Sequence, residues 1–361
     1  MTLSDQYRIY GSPHRYVQGP GALASLADWT ERLGNPAVII SDVIAWNLAR
    51  PVIEKSYADR AMPNVVLFSG DVTYETVENT VKQTRMYAPG VVVGLGGGKA
   101  LDVGKGVANA LGVRVITVPT IASNDSPTSR SIAIYDEQHV LKAVERGEYN
   151  PALVLVDTSL IVGAPVRFLR SGIGDAIAKK FEGEAVDLAG GIQSHGTRPL
   201  RTGLIIADGC YRILRQYAAE GVRANIAGEI TEAFERTVEA CVLMSGLGFE
   251  NSGLSIAHSV TRGLMAAPST AGSMHGEHVA YGLLIQMHTE GRPPEFIADL
   301  LNFYGEVGLP RRLSDLGMNC FDERQARLIA ERTMTAPHIH NVPRPVDTAM
   351  LMDAMRQLES A

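Results

Sequence analysis

The chain has 361 residues, 45% hydrophobic and 20% charged, with a net charge of −6. That length exceeds one ordinary domain and predicts two. The diffuse acidic balance and the 6% aromatic content argue against a nucleic-acid partner or an anionic membrane surface. No stretch approaches the roughly 20 apolar residues of a membrane helix. The opening residues, MTLSDQYRIYGSPHRYVQG, have no apolar core, so no signal peptide is expected and a cytoplasmic location fits. Cys210, Cys241 and Cys320 are far apart and odd in number, which predicts reduced thiols without a metal motif or disulfide framework.

In chain order, residues 16–18 lead into the turn Gly19-Pro20-Gly21, and 22–33 reads as a helix. Ala37 to Ile40 is a short buried strand that ends at Ser41-Asp42. An acidic side chain there in a nucleotide-binding sheet accepts from ribose hydroxyls and repels a 2′-phosphate, which favours NAD over NADP. Asp42 serves equally well as a helix N-cap. Residues 65–68 form another strand and 74–87 a helix.

The next stretch, residues 91–120, reads VVVGLGGGKALDVGKGVANALGVRVITVPT. It is a strand, a glycine turn, a helix and a second strand. Gly94, Gly96, Gly97 and Gly98 let the backbone approach a ligand. The free N–H groups of the helix N-terminus then face an anion, and a diphosphate is the expected guest. The turn is neither a Walker loop nor a strict GxGxxG, because Lys99 stands where the third glycine belongs. Residues 121–130 form a polar loop at the C-terminal end of a strand, where open α/β sheets bind ligands. Residues 131–135 and 140–144 pair as a hairpin, and 152–157 is a last strand. This alternation predicts a parallel sheet covered on both faces.

From residue 165 onward helical patterns dominate, at 175–186, 200–219, 230–246, 255–265, 277–288, 294–307 and 323–333. The boundary is placed within 159–164, giving a nucleotide-binding α/β domain over 1–160 and an all-helical domain over 161–361. Three places in the second half set metal-capable side chains among apolar residues: Asp175 in SGIGDAIAKKFE, His258 in GLSIAHSVTRGL and His275 in SMHGEHVAYG. Two adjacent helices joined by the loop 266–273 can face both rings to one point. Two His and one carboxylate suit a catalytic zinc with an open fourth position, and suit ferrous iron as well. Spacing alone also admits three unrelated core or surface residues.

GLGGGKALD, VPTIASNDSPTS, NPALVLVDT, APVRFLRSGIGDAIAKKFE, SGLGFENSGLSIAHS and HGEHVAYG together carry a resemblance from about Tyr16 to Asn341. The chain resembles the glycerol dehydrogenase branch of the iron-containing alcohol dehydrogenase superfamily, which also includes dehydroquinate-synthase-like cyclases. The resemblance implies a Rossmann-like parallel sheet domain followed by an all-helical domain, and a homo-oligomer. It assigns a zinc (or iron) ion to Asp175, His258 and His275. It assigns NAD contacts to Asp42, Gly98, Lys99, Asp102, Thr120, Ser123, Ser129, Ser131 and Tyr135, and a substrate-side role to Asp125, which otherwise reads as a turn cap.

The implied reaction is NAD-dependent, metal-dependent oxidation of a small vicinal polyol, such as glycerol to dihydroxyacetone. The chain departs from the family pattern at Ser131, often leucine, at Asn124, usually Thr or Ser, and at Thr261, often a second His. The departures at Asn124 and Thr261 leave open a cyclic polyol, an amino alcohol or a 2-hydroxy acid as substrate. A cyclase of the same superfamily and a catalytically silent NAD-binding or sensor protein are the remaining alternatives.

Overall fold

The computed structural model describes residues 7–137 and 140–360. Its strands are β1 (Tyr16–Gly19), β2 (Ala37–Ser41), β3 (Asn64–Leu67), β4 (Val91–Gly96), β5 (Arg114–Pro119), β6 (Ser131–Tyr135), β7 (Leu141–Arg146) and β8 (Leu153–Asp157). Six of them pair in parallel in the order β1-β8-β5-β4-β2-β3, and β6 and β7 form a separate antiparallel hairpin. Helices α1 (Leu26–Leu33), α2 (Val43–Ser56), α3 (Tyr74–Arg85) and α4 (Gly98–Leu111) cover the sheet.

Strand alternation decides what each face meets. Val91, Val93 and Leu95 of β4 enter one apolar cluster with Leu23, Leu26 and Ile53, while Val92 enters another with Val103 and Val107. On β8, Leu153 and Leu155 join the first of these clusters, whereas Val154 and Val156 pack among the helices of the second half. The sheet is therefore buried on both faces, as its unbroken Val and Ile runs require.

Strand order reverses direction between β2 and β4, whose register sets Ile40 opposite Gly94 and Ser41 opposite Leu95. At that reversal the connections diverge and leave a crevice beyond the carboxyl ends of the strands. Asp42 and the glycine turn border it.

After β8 the chain is helical: α5 (Thr158–Val162), α6 (Val166–Ile177), α7 (Lys179–Ala189), α8 (Arg201–Ala227), α9 (Glu232–Glu239), α10 (Ser245–Ser252), α11 (Ile256–Ala266), α12 (His275–Thr289), α13 (Pro294–Val307), α14 (Glu323–Thr333) and α15 (Thr348–Ser360). Several differ from the sequence reading. The helix expected at 175–186 is two, α6 and α7, separated at Ala178. The one expected at 230–246 is α9, a π-helical turn at Ala240–Met244, and then α10. Residues 16–19 form an edge strand paired with β8, where only a lead into a turn was expected. Helix α15 was not anticipated, although its Leu351, Met352, Met355 and Leu358 are buried against the helical core. Among the described residues no helix is long and apolar enough to cross a membrane.

Candidate active site

The glycine turn forms one wall of the site. Gly96 has φ of 142° and a Cβ there would stand 2.8 Å from the Ala100 Cβ, so a side chain would push the turn off the helix it starts. Helix α4 follows, with Gly97 at its N-cap and no side-chain cap on its first N–H groups. Those donors are available to an anion. Lys99, half exposed, pairs with Asp71 at the same mouth.

Asp42 caps α2: its Oδ1 accepts from the Ile44 and Ala45 N–H groups, each at 2.9 Å, and leaves Oδ2 toward Gly96. The N-cap reading of this residue is met by one carboxylate oxygen, and the other faces the glycine turn.

The remaining nucleotide-side residues line or brace the loop 121–130. Asp102 is buried and engaged by the chain itself. Its Oδ1 accepts from Ser126 Oγ at 2.5 Å and lies 2.8 Å from Lys105 Nζ, and its Oδ2 accepts from the Ala133 N–H at 2.9 Å. Asp102 thus holds this loop. Lys105 adds donations to the carbonyls of Ser126, Ser129 and Ser131. The Thr120 N–H donates to Gly96 O, so the loop begins against the glycine turn. Ser123 O accepts from Ser171 Oγ at 3.0 Å, which ties the loop to α6. Tyr135 lies on the hairpin, where burial beside Asp102 and Asp71 pushes its phenol up to about 12.

The second wall comes from the helical half. Helices α6 and α12 cross at Gly174 and Gly276: a Cβ at Gly276 would overlap the Ser171 carbonyl, and one at Gly174 would overlap the Gly276 carbonyl. This contact sets Asp175, near the end of α6, beside His275, the first residue of α12. Helix α11 brings His258 to the same point. One ligand atom from each of the three lies within 4.8 Å of the others. His258 Nε2 is 3.2 Å and His275 Nε2 is 4.0 Å from Asp175 Oδ1.

Asp175 is fully buried, and its Oδ2 has no hydrogen-bond partner among the described residues. A buried carboxylate oxygen without a partner is costly unless a cation meets it.

Two residues missed in the sequence complete this cluster. Glu182 on α7 is fully buried and takes His258 Nδ1 at 2.6 Å, while its Oε1 accepts from the backbone N–H of Ser255 and His258. That contact fixes the ring so that Nε2 points at Asp175, the arrangement found behind metal-binding imidazoles. Lys179, also fully buried, donates to Asp175 Oδ1 at 2.6 Å and lies 3.0 Å from Asp125 Oδ2. The signal for both was their spacing, four and seven residues beyond Asp175, which one continuous helix would place on a single face.

The electrostatics agree. Burial alone would raise the Asp175 carboxyl, but Lys179 and His258 hold it well below the usual carboxylate range. Burial would lower the His258 imidazole, but Glu182 and Asp175 hold it at about 9. The pocket is one that attracts positive charge. Asp125 closes it on the loop side: its carboxylate goes to Lys179 and does not cap the turn, where Asn124 Oδ1 accepts from the Ser126 N–H. Thr261, one turn along α11, returns its hydroxyl to His258 O at 2.7 Å.

The sequence pattern that defines iron-containing alcohol dehydrogenases matches residues 13–158. A glycolaldehyde reductase of Halobacterium salinarum is 36% identical over 349 residues, 96% of each chain. A glycerol dehydrogenase of Thermotoga maritima is 36% identical over 346 residues, covering 95% of this chain and 94% of that one. The crystal structure of glycerol dehydrogenase from Schizosaccharomyces pombe superposes with a TM-score of 0.94 at 34% identity, over 98% of this chain and 91% of that chain. Likeness of this depth, spanning both the sheet and the helices, defines an enzyme of the alcohol and polyol dehydrogenase class that acts on a small molecule. The chain belongs to the iron-containing alcohol dehydrogenase family.

Proposed function

We propose that the protein oxidises a vicinal polyol, glycerol to dihydroxyacetone or a close analogue, with NAD as hydride acceptor and a divalent ion, zinc or iron, held by Asp175, His258 and His275. The observation that carries the reading is the convergence of these three side chains, with Glu182 behind His258 and an unpartnered Asp175 oxygen among them. Two imidazoles and one carboxylate are a fitting donor set for such an ion. When bound, the ion supplies Lewis acidity, the effect that brings the pKa of a zinc-bound water from about 15.7 to about 7.

The chain's own residues do the rest. The α4 N-terminus with Gly97 and Gly98 takes the diphosphate, and the free oxygen of Asp42 takes a ribose hydroxyl and disfavours a 2′-phosphate. The loop 121–130 carries Ser123 and Ser129 toward the nicotinamide side, with Thr120, Ser131 and Tyr135 bracing it. Asp125 accepts from a second substrate hydroxyl and so orients the first for hydride loss. This favours substrates with oxygen on neighbouring carbons, a feature shared by glycerol and by glycolaldehyde, the compounds that name the two relatives. The subunits work as a homo-oligomer, and the sheet and helical halves act as separate domains on either side of the cleft, divided near residue 160.

The test is NADH formation, followed by absorbance at alkaline pH, with glycerol, 1,2-propanediol, ethanol, a cyclic polyol and a 2-hydroxy acid. The expected result is fastest turnover on the vicinal diols, and with NAD over NADP. Fastest turnover on ethanol, or none on any of the five, would overturn the reading.

A further inference from the structure

The side chain of Lys179 stands where the ion's ligands converge. It is fully buried, and its ammonium is 2.6 Å from Asp175 Oδ1 and 3.1 Å from His258 Nε2. Those two atoms are themselves 3.2 Å apart. A zinc ion bonds carboxylate oxygen and imidazole nitrogen at about 2.0–2.2 Å. An ion in contact with both would therefore stand where the ammonium now stands, and two cations at that separation repel strongly in a buried site.

The ammonium has a second place to go. Asp125 Oδ2 is 3.0 Å away and the Phe249 ring 5.7 Å away. Either contact keeps the charge accompanied when it leaves Asp175. The free Oδ2 of Asp175 offers an entering ion a first contact before Lys179 has moved.

We propose that Lys179 is a built-in competitor for the divalent ion, occupying the Asp175 and His258 side of the seat and yielding toward Asp125 when the ion enters. This chain then holds its ion more weakly, and exchanges it faster, than its three ligands would without the lysine. The inference rests on the metal-binding reading above.

The experiment is a calorimetric titration of zinc into chelator-stripped full-length protein, for the wild type, Lys179→Met, Lys179→Gln and His258→Ala. Met keeps most of the volume without the charge, and Gln keeps a hydrogen-bond donor if the Met variant fails to fold. Circular dichroism checks the fold of each. Removing the competing charge is expected to tighten zinc binding by about 10- to 100-fold, the range over which groups around a ligand set tune affinity. Zinc should also leave the wild type faster than it leaves the lysine variants when excess chelator is added. Equal or weaker zinc binding by folded Lys179→Met and Lys179→Gln, with His258→Ala binding none, would overturn the competition and leave the metal site standing. Absence of zinc binding by the wild type and both lysine variants would overturn the competition together with the metal-binding reading.

Discussion

The two walls of the cleft are built by opposite means. The nucleotide side is backbone: a left-handed Gly96, an uncapped helix start at Gly97–Gly98 and carbonyls gathered by Lys105. The helical side is side chain: Asp175, His258, His275, Glu182 and Lys179, drawn from four helices into an ionic cluster that only His275 opens to solvent. A backbone site tolerates changes that leave the turn intact, whereas an ionic cluster fails when one of its carboxylates or imidazoles is removed, because the charge it answered is left unpaired.

The largest expected effects lie on the helical side. Asp175→Ala and His258→Ala should each lower kcat/KM by about 10³-fold or more, the loss expected when a group that stabilises developing charge is removed. NAD binding, followed by quenching of intrinsic fluorescence, should survive both. Activity within tenfold of the wild type in either variant would break the comparison.

Gly276→Ala attacks the same wall indirectly. Its methyl group would overlap the Ser171 carbonyl and force α6 and α12 apart, separating Asp175 from His275. Overpacking of this kind costs about 1–3 kcal/mol. A denaturant melt should therefore show lowered stability along with loss of activity.

Glu182→Gln keeps the shape behind His258 but removes the charge. Zinc affinity should fall by about 10- to 100-fold, measured by chelator competition. On the backbone side the effect is smaller. A Cβ at Gly98 would meet Asn124 Nδ2 at 2.7 Å, the far end of a side chain that can turn away. Gly98→Ala should raise KM for NAD while changing kcat little, and a larger loss in kcat would sharpen the role of Asn124.

The contrast between the walls also explains what was legible in the sequence. The turn was visible because its chemistry is local: a Val run, four glycines and a helix pattern fall within about 20 residues, and no distant partner is needed to interpret them. The three candidate ligands stood out only as polar residues in apolar settings. What makes them a site is tertiary, the crossing of α6 and α12 at two glycines 102 positions apart in sequence, Gly174 and Gly276, and no periodicity reports such a crossing. Glu182 and Lys179 lay in a quoted motif and were passed over, because a Lys and a Glu on a helix read as a solvated face until burial is known. The break at Ala178 escaped for a similar reason: the apolar pattern runs on through the residue that divides α6 from α7. Strand β1 was too short to declare itself, and only its register with β8 reveals it.

The smallest effect expected is a pH dependence of stability. His278 is buried, with its Nε2 2.8 Å from Thr270 O, and burial takes its imidazole from an ordinary 6.5 to about 4. The folded state thus prefers the neutral ring. This stabilisation is present above pH 6.5 and is lost as pH falls toward 4, because the unfolded chain binds the proton more readily in that window. His278→Gln should flatten that part of the thermal-melt profile, and an unchanged slope would assign the loss to other groups.

The central claim, that three side chains from separate helices form one metal centre, is tested most directly by crystallography. Crystals soaked in zinc should give an anomalous difference peak at the zinc edge bonded to Asp175, His258 and His275, at about 2.0–2.2 Å from each. A peak elsewhere on the chain, with these three side chains bound to nothing but each other and Lys179, would contradict it.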